Sequence, residues 1–177
     1  MKKIGFFGGC FNPPTNMHIK IANDLIKAGK LDKVVFVPMN DFYKKEGLIE
    51  AEHRYNMLKL AIKEYNNLEV DDIEIKENRN LFATDAFEII KKSIYFENNK
   101  EAEMFLIMGS DNFNKMPNWK DYNKIKNDYK YIVINRDEKE ISSTQIREMI
   151  KNNDDMVMEY LSKEVYKYIL ENVLYLY

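Results

Sequence analysis

Two short stretches of this chain hold most of the side chains that could do chemistry, and the first lies near the N-terminus. Gly8 and Gly9 follow a short apolar run, and Thr15 and His18 stand where a helical pattern begins. Residues three apart share one face of a helix, so this hydroxyl and this imidazole point the same way. Glycines let a ligand approach the backbone, and unpaired N–H groups at a helix start attract anions. The pattern predicts a phosphate site, although a tight turn alone would also explain the glycines.

The second stretch spans residues 141–147 and also precedes a predicted helix. Its hydroxyl groups belong to Ser142, Ser143 and Thr144, residue types that cap helix starts, and a capped start also binds anions. Arg147 stands one turn into the helix, where a guanidinium can bind phosphate oxygens in a bidentate manner. An ordinary N-cap followed by a surface arginine is the alternative reading.

The elements that must position these side chains alternate along the chain. Apolar runs predict strands over residues 4–7, 34–37, 68–75, 104–108 and 130–135. Helical spacing predicts helices over residues 15–27, 51–65, 84–96, 143–151 and 163–174. Such alternation predicts an α/β fold with a doubly wound parallel sheet, which binds ligands at the carboxyl ends of its strands. We expect one domain over residues 1–177.

Composition excludes several classes of protein. With 27 basic and 29 acidic residues, the net charge is near zero, which disfavours nucleic acid as a partner. The single cysteine, Cys10, cannot form an intrachain disulfide, and no Cys/His spacing is typical of zinc. No apolar run approaches the ~20 residues that span a bilayer, and the first is too short for a signal peptide. We expect a cytoplasmic protein with no membrane partner and no dedicated metal site; its oligomeric state stays open, with a homo-oligomer among the alternatives.

Together, the two stretches resemble the signatures of a known superfamily. Residues 8–18 are similar to the turn and helix start of nucleotidyltransferases with a (His/Thr)-x-Gly-His motif, with Thr15 as the variant form and Met17 where glycine is usual. Residues 141–147 resemble that superfamily's other signature, Ile-Ser-Ser-Thr-x-Ile-Arg. The pair indicates an adenylyl- or cytidylyl-type nucleotidyltransferase with a Rossmann-like fold.

Residues in the middle of the chain resemble the nicotinate-nucleotide adenylyltransferases. The matching residues are Thr84 and Asp85, Gly109 and Asp111, Trp119, and Arg136. The loop at residues 40–45 departs from the Pro-Pro-His-Lys of that family, of which only a lysine survives; Lys45 is better placed than Lys44. Thr15 and the following asparagine are also similar to phosphopantetheine adenylyltransferases, but Trp119, Thr84 and Asp85 argue against that acceptor.

The resemblance implies adenylyl transfer from ATP to nicotinate mononucleotide, which gives deamido-NAD and pyrophosphate. It implies four catalytic residues: His18, Thr15, Arg147 and Lys45. The ATP-binding residues would be Gly8, Gly9, Cys10, Phe11, Gly109, Asp111, Arg136, Ser142, Ser143 and Thr144. The acceptor-binding residues would be Thr84, Asp85 and Trp119.

The same resemblance implies a role for each group. His18 and Thr15 would contact the α-phosphate, Arg147 the β- and γ-phosphates, and Lys45 would neutralise charge from a loop. Trp119 would stack on the pyridine ring of the acceptor. Backbone N–H groups at Thr84 and Asp85 would hold the substituent of that ring. Simpler structural alternatives are a helix cap for Thr15, a first-turn stabiliser for Asp85 and a core aromatic for Trp119.

Mg²⁺ is expected to accompany ATP, held by the substrate phosphates and water rather than by a protein cage. Two alternatives to this function stay open. One is a different acceptor, such as nicotinamide mononucleotide or phosphopantetheine. The other is a catalytically silent nucleotide-binding module, which Met17 would favour by crowding the phosphate site.

Overall fold

A five-stranded sheet forms the centre of the molecule, of which the computed structural model describes residues 1–93, 98, 101–135 and 141–177. Its strands are β1 (Lys3–Gly9), β2 (Lys33–Pro38), β3 (Leu68–Val70), β4 (Glu103–Gly109) and β5 (Lys130–Ile134). Their order is β3-β2-β1-β4-β5, and every neighbouring pair is parallel. This confirms the predicted doubly wound sheet. The winding reverses between β1 and β4, and such sheets bind ligands at that point, beyond the carboxyl ends of the strands.

Helices connect the strands and extend the chain beyond β5. They are α1 (Asn16–Lys27), α2 (Ala51–Ala61), α3 (Ala83–Lys91), α4 (Ser110–Lys115), α5 (Tyr122–Asp128), α6 (Ser143–Lys151) and α7 (Lys163–Glu171). Short 3₁₀ segments occupy Met116–Asn118 and Asp155–Glu159. None of the helices in the described ranges is long and apolar enough to cross a membrane.

Apolar side chains cover both faces of the sheet, because successive residues of a strand point to opposite sides. On one face, Phe36 of β2 belongs to the same buried cluster as Ala22 of α1 and Leu58 of α2. On the other face, Val35 of β2 shares a buried cluster with Ile90 of α3. The connections between strands therefore hold the sheet from both sides, as a doubly wound fold requires.

A third buried cluster fixes the position of α6. It joins Met57 of α2, Ile146 and Ile150 of α6, and Val165 and Ile169 of α7, all at most 1% exposed. Burial of five such side chains removes a large apolar area from water and anchors α6 on the rest of the molecule. The start of α6, with Arg147 one turn into the helix, is therefore held in a defined place.

Some predicted elements are shorter in the structure. β3 ends at Val70 rather than at residue 75, because the Asp71 carboxylate accepts the N–H of Ile73 at 2.9 Å and makes a turn. Two predicted helices also end early: α2 ends at Ala61 rather than at residue 65, and α7 ends at Glu171 rather than at residue 174. The predicted helix over 84–96 ends at residue 91, and its last three positions lie outside the described residues.

Sequence patterns did not reveal α4 and α5. Within the described chain, α4 buries no side chain and α5 buries only Ile125. Helices that bury so little show no helical spacing of apolar residues, which is the signal that sequence analysis depends on. α4 nevertheless bears on the site, because it places Asp111 directly after the carboxyl end of β4.

Candidate active site

The first helix start holds an imidazole in one orientation. Thr15 is the N-cap of α1, and its hydroxyl accepts the His18 N–H at 3.4 Å. In return, the Thr15 N–H donates to Nδ1 of His18 at 3.0 Å, and the Thr15 hydroxyl lies 2.8 Å from the same nitrogen. Because a backbone N–H can only donate, Nδ1 accepts, and the proton of the neutral ring is on Nε2. Thr15 thus fixes both the rotamer and the tautomer of His18.

Aromatic rings flank this imidazole on the protein side. The centroid of Phe11 lies 5.2 Å from that of His18 in an edge-on arrangement, and the centroid of Phe7 lies at 6.1 Å. Both phenylalanines are buried. Such packing limits the motion of the ring and lowers the local dielectric, which strengthens any hydrogen bond that His18 makes to an anion.

The second helix start has the same kind of cap. Ser142 is the N-cap of α6: its hydroxyl accepts the Gln145 N–H at 3.3 Å, while Oε1 of Gln145 accepts the Ser142 N–H at 2.8 Å. This capping box leaves Ser143 and Thr144 in the first turn, with their N–H groups at the positive end of the helix. The predicted N-cap is therefore present, and the N–H groups beside it could bind an anion.

Direct hydrogen bonds join the two helix starts. The Ser143 hydroxyl donates to the carbonyl of Pro13 at 3.1 Å, and Nη1 of Arg147 donates to the carbonyl of Asn12 at 2.9 Å. Nη2 of Arg147 donates to the Thr144 hydroxyl at 3.3 Å. Segments that are more than 120 residues apart in the chain thus meet at one point.

Together these elements enclose a cleft of about 350 Å³. Its wall includes most of the predicted catalytic and ATP-binding residues: Gly8, Gly9, Cys10, Phe11, Thr15, His18, Lys45, Gly109, Asp111, Ser142, Ser143, Thr144 and Arg147. The wall also includes Met17, the residue that departs from the usual glycine. Within the described ranges, Asp111 is the only carboxylate of this wall, against the cations Lys45 and Arg147. The cleft therefore favours an anionic ligand.

Lys45 reaches the wall from the loop between β2 and α2. Of the two neighbouring lysines, Lys45 lines the cleft, whereas Lys44 is not among the described lining residues. The loop is tied back by the Asn12 side chain, whose Nδ2 donates to the carbonyl of Gly47 at 2.7 Å. Gly47 has a φ of +68°, a conformation that favours glycine, and its backbone passes close to the Arg147 guanidinium. Arg147 and the loop of Lys45 are therefore neighbours.

Sequence analysis missed Arg54, which holds the base of the site. Arg54 is 0% exposed, and its guanidinium donates to three groups: the Cys10 carbonyl at 3.0 Å, the Ile49 carbonyl at 2.9 Å and the Asp41 carboxylate at 3.1 Å. It thereby joins the turn after β1 to both ends of the Lys45 loop. A signal was present, since Arg54 falls at helical spacing with Ala51, Met57 and Leu58 on the buried face of α2.

The predicted acceptor residues are not part of the described cleft wall. Thr84 is buried, and the Asp85 carboxylate accepts the Phe82 N–H at 3.0 Å and lies 3.6 Å from Arg79, so it stabilises the start of α3. Trp119 directly follows a 3₁₀ segment and is partly exposed. None of Thr84, Asp85 and Trp119 is among the described lining residues. Arg136 lies outside the described part of the chain.

A contact nevertheless brings the segment of Trp119 to the start of α3. Nζ of Lys120 lies 4.7 Å from the ring centroid of Phe82, the N-cap residue of α3. The two predicted parts of the acceptor site, Trp119 and the Thr84 region, are therefore neighbours in space.

A buried carboxyl near Arg54 gives the site region a pH dependence. Glu74 is 8% exposed, and burial raises its pKa from 4.5 to about 7, although the Arg54 guanidinium acts to lower it. The folded chain thus binds more protons than the unfolded chain between these two pH values. Stability therefore falls as the pH rises from about 5 to about 7, by up to about 3 kcal/mol.

We accordingly expect Glu74→Gln to be more stable than the original chain at pH 8, and the difference to shrink towards zero at pH 5. Urea unfolding at several pH values between 5 and 8 measures this difference. Glu64→Gln, at an exposed position, is the matched control and should follow the original chain throughout. Parallel stability curves for Glu74→Gln and the original chain would show that Glu74 does not titrate as described.

Comparison with known proteins identifies the class to which this fold and cleft belong. A family described as cytidylyltransferase-like matches residues 6–149, a range that contains both helix starts. The nicotinate-nucleotide adenylyltransferase of Bacillus subtilis is 30% identical over 99% of this chain and 99% of its own length. A Clostridium acetobutylicum protein named probable nicotinate-nucleotide adenylyltransferase is 33% identical over 99% of this chain and 100% of its own length. This chain belongs to the nicotinate-nucleotide adenylyltransferase family, as the motifs predicted.

The fold is also similar to that of a solved relative. The nicotinic acid mononucleotide adenylyltransferase of Plasmodium falciparum, solved in complex with NaAD, superimposes with a TM-score of 0.80. The match covers 99% of this chain and 98% of that chain at 20% identity. This similarity confirms the Rossmann-like nucleotidyltransferase fold.

Proposed function

We propose that this chain transfers the adenylyl group of ATP to nicotinate mononucleotide and releases pyrophosphate. The observation that carries the proposal is the pair of hydrogen-bonded helix starts that place His18 and Arg147 on one cleft wall. Family membership supports the choice of acceptor, because the Bacillus subtilis relative is a nicotinate-nucleotide adenylyltransferase.

The reaction needs positioning and charge stabilisation more than it needs a base. An oxygen of the acceptor phosphate attacks the α-phosphorus of ATP as the bond from that phosphorus to the α,β-bridging oxygen breaks. Pyrophosphate leaves with the bonding electron pair. Because the nucleophile is already anionic, no protein group has to remove a proton, and donors aimed at the phosphoryl oxygens supply the catalysis.

In this proposal, His18 donates from Nε2 to the α-phosphate, since Thr15 occupies Nδ1. Thr15 acts mainly by orienting the ring, which combines its capping contact with its predicted catalytic role. Arg147 binds the β- and γ-phosphates, and Lys45 adds charge from its loop. Glycines at positions 8 and 9, with the first turn of α6, offer backbone N–H groups to the same triphosphate.

The acceptor lies towards the start of α3 in this proposal. Its pyridine ring stacks on Trp119, and backbone N–H groups at Thr84 and Asp85 hold the ring carboxylate. The contact of Lys120 with Phe82 supports a shared pocket of these two segments. The Asp85 side chain is occupied at the helix start, so its part in recognition would fall to the backbone.

Mg²⁺ enters with ATP as part of the substrate. Within the described ranges, no group of three or more His, Cys, Asp or Glu side chains could hold a metal ion. Asp111 is a lone carboxylate of the described cleft wall, which fits an ion held mainly by phosphates and water. We also infer that residues 1–177 act as one domain, because α6 and α7 share a buried cluster with α2. A cytoplasmic location stays a prediction, and the oligomeric state stays open.

A panel of acceptors tests the proposal. Pyrophosphate release is measured with ATP and Mg²⁺ in the presence of nicotinate mononucleotide, nicotinamide mononucleotide or phosphopantetheine, and each product is identified by mass. We expect kcat/KM to be at least roughly tenfold higher for nicotinate mononucleotide than for the others, and CTP to replace ATP poorly.

The outcomes separate the alternatives. A preference for phosphopantetheine would overturn the acceptor assignment and leave adenylyl transfer intact. Binding of ATP without turnover on any acceptor would favour a silent nucleotide-binding module and overturn the proposed function.

A further inference from the structure

The side chain of Asn12 lies at the junction of four segments around the cleft. Its backbone carbonyl accepts from Nη1 of Arg147 at 2.9 Å, and its Nδ2 donates to the Gly47 carbonyl at 2.7 Å. Its Oδ1 accepts the Ile49 N–H at 3.4 Å and the Tyr175 hydroxyl at 2.7 Å. Asn12 is 2% exposed, so these bonds form away from bulk water. The Asn12 side chain therefore holds the end of the Lys45 loop, and the Asn12 backbone carbonyl holds Arg147.

The partners of Asn12 allow only one orientation of its amide. The Gly47 carbonyl can only accept and the Ile49 N–H can only donate, so Nδ2 must face Gly47 and Oδ1 must face Ile49. The bond from Ile49 is long at 3.4 Å, whereas the bond from the Tyr175 hydroxyl is short at 2.7 Å. The shorter bond is the stronger constraint on Oδ1. Without the Tyr175 hydroxyl, only the long bond from Ile49 and the bond to the Gly47 carbonyl would orient the Asn12 amide.

Tyr175 comes from the C-terminal segment that follows α7. Two residues with positive φ, Val173 at +56° and Tyr175 at +63°, turn this segment back towards the site. The Tyr175 ring packs against the same buried cluster that anchors α6. Burial raises the Tyr175 pKa, while the nearby guanidinium groups of Arg147 and Arg54 act to lower it. The phenol therefore stays neutral at physiological pH and can donate to Asn12.

We propose that Tyr175 is a positioning residue for ATP. Its hydroxyl fixes the Asn12 side chain, which holds the Lys45 loop, and so anchors the residue whose backbone carbonyl holds Arg147 beside the triphosphate. The inference rests on the proposed ATP site but does not depend on which acceptor the chain uses. It gives the C-terminal segment, 163 residues away from Asn12 in sequence, a part in nucleotide binding.

Tyr175→Phe tests the proposal, because it removes the hydroxyl and keeps the ring that packs in the cluster. ATP affinity is measured by calorimetry in the absence of acceptor, beside the melting temperature. We expect Tyr175→Phe to bind ATP roughly three- to tenfold more weakly, the range of one net hydrogen bond, and KM for the acceptor to change by less than twofold. Tyr177→Phe removes the hydroxyl of a residue that is 95% exposed, and this variant should bind ATP like the original chain.

A double-variant cycle separates positioning from a general loss of stability. In a background that carries both Lys45→Ala and Arg147→Ala, Tyr175→Phe should weaken ATP binding by less than twofold, because its effect passes through these two cations. Asn12→Ala is a second variant that removes the same link and should lose ATP affinity to at least the same extent. Unchanged ATP affinity in Tyr175→Phe, or an undiminished further loss in the background that lacks both cations, would overturn the role of Tyr175.

The same measurements keep this proposal apart from the proposed function. If the original chain binds ATP but adenylylates no acceptor, the proposed function fails and ATP affinity still decides the role of Tyr175. If the original chain adenylylates nicotinate mononucleotide and Tyr175→Phe binds ATP normally, only the role of Tyr175 fails. A chain that binds no ATP would overturn both.

Discussion

His18→Ala is expected to lower kcat for adenylyl transfer by roughly 100-fold, the usual effect of losing one donor to a developing oxyanion. The imidazole is held in a single tautomer by Thr15, with Nδ1 accepting the Thr15 N–H at 3.0 Å. Charge grows on the α-phosphate oxygens in the transition state, so the lost bond should affect kcat more than KM for ATP. Steady-state kinetics with ATP and nicotinate mononucleotide measure both constants.

His53→Ala is the matched control, since it removes the other histidine of the chain. Nδ1 of His53 lies 2.9 Å from the Tyr168 hydroxyl, at the packing of α2 on α7. His53 is not among the described residues of the cleft wall. We expect this variant to keep kcat within about twofold, with at most a small loss of stability. Unchanged turnover in His18→Ala, with the fold intact, would rule out the proposed mechanism.

Arg147→Ala is expected to lower kcat/KM for ATP by roughly 100-fold, because a guanidinium can make two charge-assisted hydrogen bonds to phosphate. The position of Arg147 supports this expectation, because hydrogen bonds to the Asn12 carbonyl and the Thr144 hydroxyl hold its guanidinium beside the cleft. In contrast to His18→Ala, the loss should appear largely in ATP binding. Kinetics at varied ATP and calorimetry of ATP binding measure it.

Two further variants, Arg147→Lys and Lys151→Ala, serve as controls for Arg147→Ala. Arg147→Lys keeps the charge but loses the planar fork, so we expect it to recover only part of the lost affinity. Lys151→Ala removes an exposed cation at the end of α6 and should bind ATP like the original chain. Equal losses in Lys151→Ala and Arg147→Ala would mean that overall charge, rather than a defined contact, explains ATP binding.

Local sequence signals predicted the parts of the site that are built locally. Thr15 and Ser142 are both N-caps with reciprocal side-chain bonds to residues three positions later. Such motifs can be read from a few consecutive residues. The strands were predicted for a related reason, because strands buried on both faces of a parallel sheet appear as short continuous apolar runs.

Contacts between distant segments could not be predicted in the same way. The bond from Tyr175 to Asn12 joins segments far apart in the chain, and no local pattern marks either partner. Arg54 was missed because α2 has a weakly defined apolar face on which a buried arginine replaces an apolar residue. Its three acceptors, on the turn after β1 and on the Lys45 loop, exist only once the chain is folded.

The positions of the acceptor residues could be predicted from the sequence only in part. The motif match placed Thr84, Asp85 and Trp119 together, and the contact of Lys120 with Phe82 brings their segments close. These residues nevertheless lie outside the described cleft wall, and the sequence gives no distance between the acceptor area and the ATP cleft. The geometry of acceptor recognition therefore depends on the folded chain rather than on the motifs.

The most direct test of a shared triphosphate site is a crystal structure of this chain with Mg²⁺ and a non-hydrolysable ATP analogue. We expect Nε2 of His18 and the guanidinium of Arg147 to lie within about 3 Å of oxygens of the same triphosphate. A triphosphate that contacts only one of these two side chains, or that binds away from the cleft between α1 and α6, would contradict this account.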